Sequence, residues 1–278
     1  MGTALANFQD RSDKIIFFFA LMTTISFQVT SNFANDYGDG VKGTDNEGRL
    51  GPKRALQSGL LTRKELKTGI LIAITVSSLL VLAVLYFSFG DESLEYFALF
   101  AVLGLASIWA AIRYTIGDSA YGYKGHGDLF VFLFFGLLAV AGTMFLYTKE
   151  LTWWAFLPAA SIGLLSTGVL NLNNLRDFEN DKESGKNTMV VKIGFRNGKR
   201  YHFFLLTTAF ICLLIFMFVK FESWYHFLPL LTLIPVLIHM VKVYRTNEPV
   251  KLDPELKKLA LSTFLLALMF YFTYNNFL

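Results

Sequence analysis

Eight long apolar segments determine what this chain can fold into. Each holds about 20 residues with few charges, the length that an α-helix needs to cross the hydrocarbon core of a bilayer. The segments are continuous rather than alternating between apolar and polar residues, which argues against transmembrane β-strands. They occur at about residues 15–34, 69–89, 96–112, 129–147, 152–172, 203–219, 227–243 and 259–278. We therefore predict an all-α integral membrane protein.

The composition agrees with this prediction. Hydrophobic residues make up 54% of the 278 residues and charged residues only 17%, whereas soluble domains carry about 25% charged residues. This balance excludes a disordered chain, a collagen-like chain and a disulfide-stabilised scaffold. No linker-like stretch divides the sequence, so residues 1–278 are predicted to form a single transmembrane domain.

The basic residues lie in alternate loops and predict how the helices are oriented. The loops at about 35–68, 113–128, 173–202 and 242–258 hold 21 of the 25 Lys and Arg residues. Because cytoplasmic loops carry an excess of these residues, all four loops are predicted to face the cytoplasm. The pI of about 9.0 therefore reflects membrane topology, and no nucleic-acid partner is expected.

Two of these loops open with similar clusters of carboxylate and amide side chains. Their members are Asn35, Asp36, Asp39 and Asp45 in the first loop and Asn173, Asn174, Asp177 and Asp181 in the third loop. Spacings of three and four residues place a pair of carboxylates on one helical face if the helix continues into the motif. Two such clusters, four spans apart, predict two repeat-like halves around one central cavity.

The chemistry of these clusters indicates a magnesium–diphosphate site. Carboxylates at the C-terminal end of a helix are disfavoured by the helix dipole, so a cation is expected beside them. Mg²⁺ in proteins is held by one or two carboxylates together with water and substrate phosphates, and nearby Lys and Arg side chains donate to phosphate. Ordinary solvated loops with capping Asn and Asp are the alternative, above all for Asp36, Glu47, Glu179 and Glu183.

These motifs resemble those of the UbiA superfamily of intramembrane aromatic prenyltransferases. The superfamily carries an Asn-Asp-x-x-Asp and an Asp-x-x-x-Asp signature, and both occur here, at 35–39 and 177–181. The stretches 35–54, 121–136 and 173–188 are similar to the branch that prenylates 1,4-dihydroxy-2-naphthoate in menaquinone synthesis. The resemblance extends over nearly the whole chain.

The resemblance implies a UbiA-type bundle of nine transmembrane helices in the bacterial inner membrane, with the acidic loops on the cytoplasmic side. Eight complete spans are present here. The apolar residues 1–6 resemble the end of the family's first helix, most of which is missing. Two positions depart from the family pattern. Asp45 substitutes for an Asp that several members carry at Gly43, and Tyr121 or Tyr123 substitutes for a tyrosine at Ala120.

The resemblance also implies roles for individual residues. The catalytic residues that bind the diphosphate-linked Mg²⁺ would be Asn35, Asp39, Asp45, Asn174, Asp177 and Asp181. Among these, the carboxylates would be the metal ligands, with Asp36 as a further candidate. The cations that bind the diphosphate would be Lys42, Arg49, Lys124, Arg176 and Lys186.

The expected reaction transfers a polyprenyl group from its diphosphate to 1,4-dihydroxy-2-naphthoate in the bilayer, with loss of CO₂ from the attacked carbon, to give demethylmenaquinol. Other acceptors of the superfamily, namely 4-hydroxybenzoate, homogentisate and haem, stay open. A transporter or cation channel is an alternative of another class, but such proteins place ionisable residues near the membrane midplane. His126, His202, His226 and His239 lack the spacing of metal ligands and are expected at membrane edges. Nothing in the sequence indicates an oligomeric state.

Overall fold

In the computed structural model the described chain is mainly helical. The structure describes residues 1–45, 51, 53–90 and 93–275, and these residues form no β-strand. Eight helices among them are long and apolar enough to cross a membrane, which confirms the predicted all-α membrane protein with eight spans. They are α1 (Lys14–Lys42), α2 (Arg63–Phe89), α3 (Leu94–Arg113), α4 (Gly127–Thr148), α5 (Trp153–Arg176), α6 (Phe195–Val219), α7 (Trp224–Arg245) and α8 (Pro249–Thr273). Shorter helices are Gly2–Asn7, Tyr121–Lys124, Phe178–Glu183 and Met189–Ile193.

The helices continue further into the polar motifs than the apolar segments do. α1 runs through the first acidic motif to Lys42, and α5 runs through the asparagines of the second to Arg176. Residues 35–42 therefore belong to α1 rather than to the first loop, and residues 173–176 belong to α5 rather than to the third loop. The predicted loop bounds were wrong because apolarity marks only the part of a helix that lies in the hydrocarbon core.

Local sequence explains where the first two spans begin and end. The Asp13 side chain accepts two backbone hydrogen bonds from the first turn of α1, at 2.7 and 3.0 Å. α1 ends at Gly43, whose φ of +74° is the left-handed conformation that glycine adopts without strain. Thr62 and Glu65 form a reciprocal capping box at the start of α2.

The described chain divides into two compact units. The α1–α3 unit comprises Asp13–Gly127 and the separate segment Asn180–Thr188. In it α1 packs against both α2 and α3. The hydroxyls of Ser26 and Thr30 on α1 meet Ser77 on α2 at 2.7 and 3.0 Å, which satisfies these buried polar groups inside an apolar interface.

The α4–α8 unit comprises Met1–Ser12, Asp128–Glu179 and Met189–Leu278. Its helix α5 packs against α4, α6 and α8. The contact with α4 is close because two glycines face each other: a Cβ on Gly136 would lie 2.5 Å from the Cα of Gly163. α5 is therefore a largely buried helix, and its polar side chains must find partners inside the protein.

Large apolar side chains cover the outer faces of both units. Leu71 on α2, Val102 on α3 and Phe218 on α6 are each more than 60% exposed. Such surfaces are unfavourable in water but match the hydrocarbon of a bilayer, in which helices satisfy their backbone hydrogen bonds internally away from their ends. The chain is an integral membrane protein.

Candidate active site

The first acidic motif lies on the last turns of α1, within the α1–α3 unit. Asp36 and Asp39 are buried there, and Asn35 is half-buried. Asp36 accepts hydrogen bonds from the backbone N–H groups of Ala55 at 3.0 Å and Leu56 at 3.3 Å. It therefore fastens the end of the first loop to α1. Its role as a metal ligand stays a prediction.

Two glycines allow other segments to approach the motif closely. A Cβ on Gly38 would lie 2.5 Å from the hydroxyl of Thr115, and one on Gly40 would lie 2.6 Å from the side chain of Leu56. Thr115 is completely buried, and its hydroxyl also lies 3.3 Å from the side-chain oxygen of Asn35. The glycines of the motif thus hold the chain after α3 and the first loop against α1.

Asp39 is the most highly connected carboxylate of the motif and is only 3% exposed. The Tyr123 hydroxyl donates a hydrogen bond to Oδ1 at 2.7 Å. The Arg54 guanidinium lies 3.2 Å from Oδ2, and the Lys186 ammonium lies 4.0 Å from Oδ1. One hydrogen-bond donor and two cations, from three different loops, therefore surround this carboxylate.

Arg54 joins this carboxylate to a second one. Its Nε atom lies 3.3 Å from Oδ2 of Asp45, which is also buried. The resulting group of two carboxylates, two cations and one phenol is called the Asp39 cluster and consists of Asp39, Asp45, Arg54, Tyr123 and Lys186. Because buried carboxylates require partners, the guanidinium between them stabilises both.

Tyr123 is held in place by the short helix Tyr121–Lys124. The Tyr121 hydroxyl donates to the carbonyl of Ala110 at 2.7 Å, and Gly122 packs so closely on Tyr114 that a Cβ would lie 2.6 Å from its carbonyl oxygen. Burial raises the pKa of the Tyr123 hydroxyl, and the negative charge of Asp39 raises this pKa further. Tyr123 is therefore a hydrogen-bond donor at every physiological pH.

The later part of the second motif belongs to the same unit. The segment Asn180–Thr188 contains the predicted ligands Asp181 and Lys186, both buried. The Asn180 side chain donates to the carbonyl of Thr44 at 3.3 Å, and the backbone N–H of Asn187 donates to the carbonyl of Tyr123 at 3.1 Å. These contacts place Lys186 beside Asp39, although the two residues are far apart in sequence.

The earlier part of the second motif lies in the α4–α8 unit and forms an ion-pair network of its own. Arg176 binds both oxygens of Asp177, at 2.8 and 2.7 Å. It also donates to Asn173 and to Asp253, each at 2.9 Å. Arg176, predicted as a diphosphate ligand, therefore has protein partners on all sides of its guanidinium.

The two carboxylates of the second motif lie on different structural elements. Asp177 follows the last residue of α5, whereas Asp181 lies on the separate helix Phe178–Glu183, so α5 does not continue through this motif as a shared helical face would require. The backbone breaks at Asp177, where φ and ψ leave the helical range. Asn174, predicted for the third loop, lies on α5 and is 3% exposed.

The remaining cations predicted to bind the diphosphate are Lys42, Lys124 and Arg49. Lys42 is exposed, donates to the carbonyl of Gly117 at 3.0 Å and lies 4.0 Å from the ring centre of Tyr123. Lys124 is also exposed, and Arg49 lies outside the described residues. Sequence reasoning did not select Arg54, although it ends the Arg-x-Gly-Pro-x-Arg stretch at 49–54.

The carboxylates of the Asp39 cluster match the number of protein ligands that Mg²⁺ usually takes. No three Asp, Glu, His or Cys side chains in the part of the chain that the structure describes lie close enough together to hold a metal ion alone. Mg²⁺ usually takes only one or two carboxylates and completes its shell with water and phosphate oxygens. The paired Asp39 and Asp45 carboxylates fit that requirement for an ion that arrives on a diphosphate.

This combination of membrane helices and buried carboxylate–cation clusters is that of a polytopic prenyl-transfer enzyme. Residues 1–261 match the UbiA prenyltransferase family. The chain therefore belongs to the UbiA prenyltransferase family, which confirms the predicted family, fold class and enzymatic nature and rules against the transporter or channel alternative.

Several individual proteins are similar to this chain over most of its length. A protein from Haemophilus influenzae, named 1,4-dihydroxy-2-naphthoate octaprenyltransferase, is 41% identical over 259 residues, covering 92% of this chain and 82% of the relative. A protein of the same name from Escherichia coli is 41% identical over 271 residues, covering 97% and 87%. A Drosophila melanogaster protein, named UbiA prenyltransferase domain-containing protein 1 homolog, is 28% identical over 259 residues, covering 91% and 68%.

Proposed function

We propose that this enzyme transfers a polyprenyl group from a prenyl diphosphate to 1,4-dihydroxy-2-naphthoate in menaquinone synthesis. The observation that carries this proposal is the buried Asp39 cluster, in which Arg54, Tyr123 and Lys186 all contact one carboxylate. The names of the relatives that match most of the chain support the naphthoate as acceptor.

The diphosphate would bind at the acidic motifs together with Mg²⁺. Asp39 and Asp45 would hold the metal on one side, and Asp177 and Asp181 on the other. When bound, Mg²⁺ acts as a Lewis acid that neutralises the charge of the leaving diphosphate. Arg54 and Lys186, whose carboxylate partners are then engaged by the metal, would donate to phosphate oxygens.

The second motif would have to rearrange in order to take part. Both oxygens of Asp177 are bound by Arg176, so ligand binding requires this pair to separate. Separation would free a carboxylate for the metal and a guanidinium for phosphate at the same time. The chain passes from Asp177 to Asp181 in four residues, and Asp181 already lies in the unit of the Asp39 cluster.

The reaction itself needs a leaving group, an electron-rich carbon and protection from water. The diphosphate leaves with the bonding electron pair, and the allylic cation is attacked by the ring carbon that bears the acceptor's carboxylate. A carbon–carbon bond to the prenyl group forms, the bond to the carboxylate breaks, and CO₂ departs without any net proton removal. Apolar helices around the site would keep water from the cation.

The enzyme would act at the cytoplasmic face of the bacterial inner membrane. This assignment rests on the alternate loops that hold 21 of the 25 basic residues. Both acidic motifs begin at the ends of helices that enter loops of that set, so soluble naphthoate would reach the site from the cytoplasm while the prenyl tail remains in the bilayer.

A product assay in membranes tests the proposal. Membranes with the full chain are offered a polyprenyl diphosphate and, in parallel, dihydroxynaphthoate, 4-hydroxybenzoate or homogentisate, with Mg²⁺ or with EDTA. We expect a prenylated, decarboxylated naphthoquinol and CO₂ only with dihydroxynaphthoate and Mg²⁺. Asp39→Asn should abolish the product, and Asp118→Asn, an exposed carboxylate of the same unit, serves as the control. If the enzyme prenylates another acceptor in preference to dihydroxynaphthoate, the proposal is contradicted.

A further inference from the structure

The α4–α8 unit contains three buried polar side chains that the diphosphate site does not use. They are Asp128 on α4, Asn171 on α5 and His202 on α6, which are 5%, 0% and 1% exposed. Each has at least one buried polar atom without a hydrogen-bond partner in the described protein: Oδ1 of Asp128, both amide atoms of Asn171 and Nδ1 of His202. We call these residues the polar triad.

The three side chains lie around one region of α5. The Thr167 hydroxyl on α5 lies 3.4 Å from the carbonyl of Asp128, and a Cβ on Gly168 would lie 3.9 Å from the His202 ring. At about 100° per residue, Asn171 points between the directions of Thr167 and Gly168, one turn nearer the end of α5. Asn171 therefore lies between the Asp128 side and the His202 side of the helix.

On α6, Tyr201 is the sequence neighbour of the triad member His202. The Tyr201 side chain lies beside the Asp128 carboxylate. His202, the next residue, faces α7 and brings its Nε2 atom within 2.9 Å of Nε2 of His239. Adjacent residues of one helix thus place Asp128 and His202 on the two sides of Asn171.

The hydrogen-bond network around His202 determines which of its ring nitrogens carries the proton. Nδ1 of His239 lies 3.0 Å from Oε2 of Glu255, which is fully buried and whose other oxygen receives Lys242 and Lys258 at 2.7 Å each. A carboxylate so engaged accepts, so His239 donates through Nδ1, and in the neutral pair its Nε2 accepts from His202. Nδ1 of His202 then carries a lone pair and no proton.

The polar triad therefore presents two strong acceptors and one amide, with no cation among them. A diphosphate, which only accepts hydrogen bonds, would be repelled by this set, and a prenyl tail has no polar atoms to satisfy it. A hydroxylated aromatic acid fits, because its hydroxyls donate and its carboxylate accepts from an amide N–H. Leaving such buried groups unpaired is unfavourable, and a ligand would supply the partners.

We propose that the polar triad binds the aromatic acceptor, with Asp128 and His202 accepting hydrogen bonds from its hydroxyls and the Asn171 amide donating to its carboxylate. This inference rests on the proposed function. A hydrogen bond from a ring hydroxyl to His202 pushes electron density into the ring and activates the attacking carbon, and the proton stays on the product. His239 and Glu255 are positioning residues, since they orient the His202 ring.

Separate Michaelis constants for the two substrates test this proposal. Asn171→Leu, nearly the same size but apolar, should raise the KM for the acceptor about tenfold and leave the KM for prenyl diphosphate unchanged. Ser161→Ala removes another buried, unpartnered polar atom of α5 and serves as the matched control, with neither KM altered. An acceptor KM within twofold of the unsubstituted enzyme in Asn171→Leu would overturn the proposal.

Histidine variants provide an independent readout. His202→Phe should raise the acceptor KM by a similar factor, and His202→Asn, whose side-chain oxygen takes the place of Nδ1, should restore most of it. Thermal unfolding in detergent is followed for each variant, and Asn171→Ser replaces Asn171→Leu if the latter does not accumulate. If the histidine variants have a lower melting temperature but an unchanged KM for the acceptor, His202 has a purely structural role. That result would contradict the proposal.

The assay also separates this proposal from the proposed function. It is run with whichever hydroxylated acceptor the unsubstituted enzyme prenylates. If that acceptor is not the naphthoate, the proposed function fails while the KM comparison still decides the role of the polar triad. An enzyme that prenylates none of the three acceptors overturns both.

Discussion

The guanidinium of Arg176 binds both carboxylate oxygens of Asp177, and both side chains are only 7% exposed. The two residues are neighbours in sequence and come from the motif that defines the family. In the structure they satisfy each other, with Asn173 and Asp253 completing the network. Asp177 therefore forms a closed ion pair with Arg176, and under the proposed function a metal–diphosphate complex would open it.

Removal of Arg176 should destabilise the protein strongly. Arg176→Gln leaves the buried Asp177 charge without its partner, a change that typically costs about 3–5 kcal/mol. Asp253 is 53% exposed, so Asp253→Asn should cost less than about 1 kcal/mol. Thermal unfolding in detergent compares the two variants. Equal melting temperatures would contradict the importance of the Arg176–Asp177 pair.

Neighbouring carboxylates of the first motif should respond differently to neutralisation. Asp36→Asn disturbs two backbone hydrogen bonds and should lower stability by about 1–3 kcal/mol, with turnover retained below the melting transition. Asp39→Asn should abolish turnover while the protein remains folded, because Asp39 is the centre of the cluster. Melting temperature and product formation are measured for both. An inactive but fully stable Asp36→Asn protein would make Asp36 a ligand instead of an anchor.

Loss of the Tyr123 hydroxyl should weaken catalysis. It is a neutral donor to a carboxylate, and Tyr123→Phe should lower kcat/KM for prenyl diphosphate by roughly 10- to 100-fold. Tyr121→Phe, whose lost hydroxyl bonded a backbone carbonyl, is the size-matched control and should change this constant little.

The contribution of the Tyr123 hydroxyl to kcat/KM should not depend on pH in the range where a tyrosine hydroxyl usually begins to ionise. Burial and the charge of Asp39 raise the pKa of its hydroxyl, so the donor is lost only above the ordinary value near 10. The ratio of kcat/KM between the unsubstituted enzyme and Tyr123→Phe should stay constant from about pH 7 to 9.5. A ratio that falls towards one with rising pH would show that the hydroxyl ionises there.

A methyl group at Gly38 should disturb the site. The added Cβ would lie within 2.8 Å of three atoms of Thr115, including its backbone, so α1 and the chain after α3 must move apart. Overpacking of this kind costs about 1–3 kcal/mol, and turnover should fall as well. Gly69→Ala on α2, where the nearest atom is a Phe33 ring carbon at 3.3 Å, is the control. Normal stability and activity of Gly38→Ala would refute the close packing.

Sequence reasoning predicted the helices well because each depends on a local property. Twenty apolar residues specify a span wherever they occur, and the motif at 35–39 continues the periodicity of α1. It ranked Asp39 above Asp36 as a metal ligand but could not predict what Asp36 does instead. That role depends on tertiary packing, because the backbone N–H groups of Ala55 and Leu56 donate to the Asp36 carboxylate.

The polar partners within each unit were also beyond prediction from sequence. Arg54 was one of several basic residues in its loop, and only the fold selects it over Lys42 as the partner of Asp39. His202 and His239, expected at membrane edges, are buried and hydrogen-bonded to each other across 37 positions of sequence. Such pairs depend on how different helices pack against each other. The spacing of residues along one helix gives no information about that packing.

The central claim, that both acidic motifs serve one diphosphate, is tested most directly by ligand binding. The purified full-length chain is titrated with a non-reactive prenyl thiodiphosphate, in Mg²⁺ and in EDTA. We predict tight binding only with Mg²⁺, and a loss of roughly tenfold or more in affinity for Asp39→Asn and for Asp177→Asn alike. Retention of full Mg²⁺-dependent affinity by either variant would contradict the account.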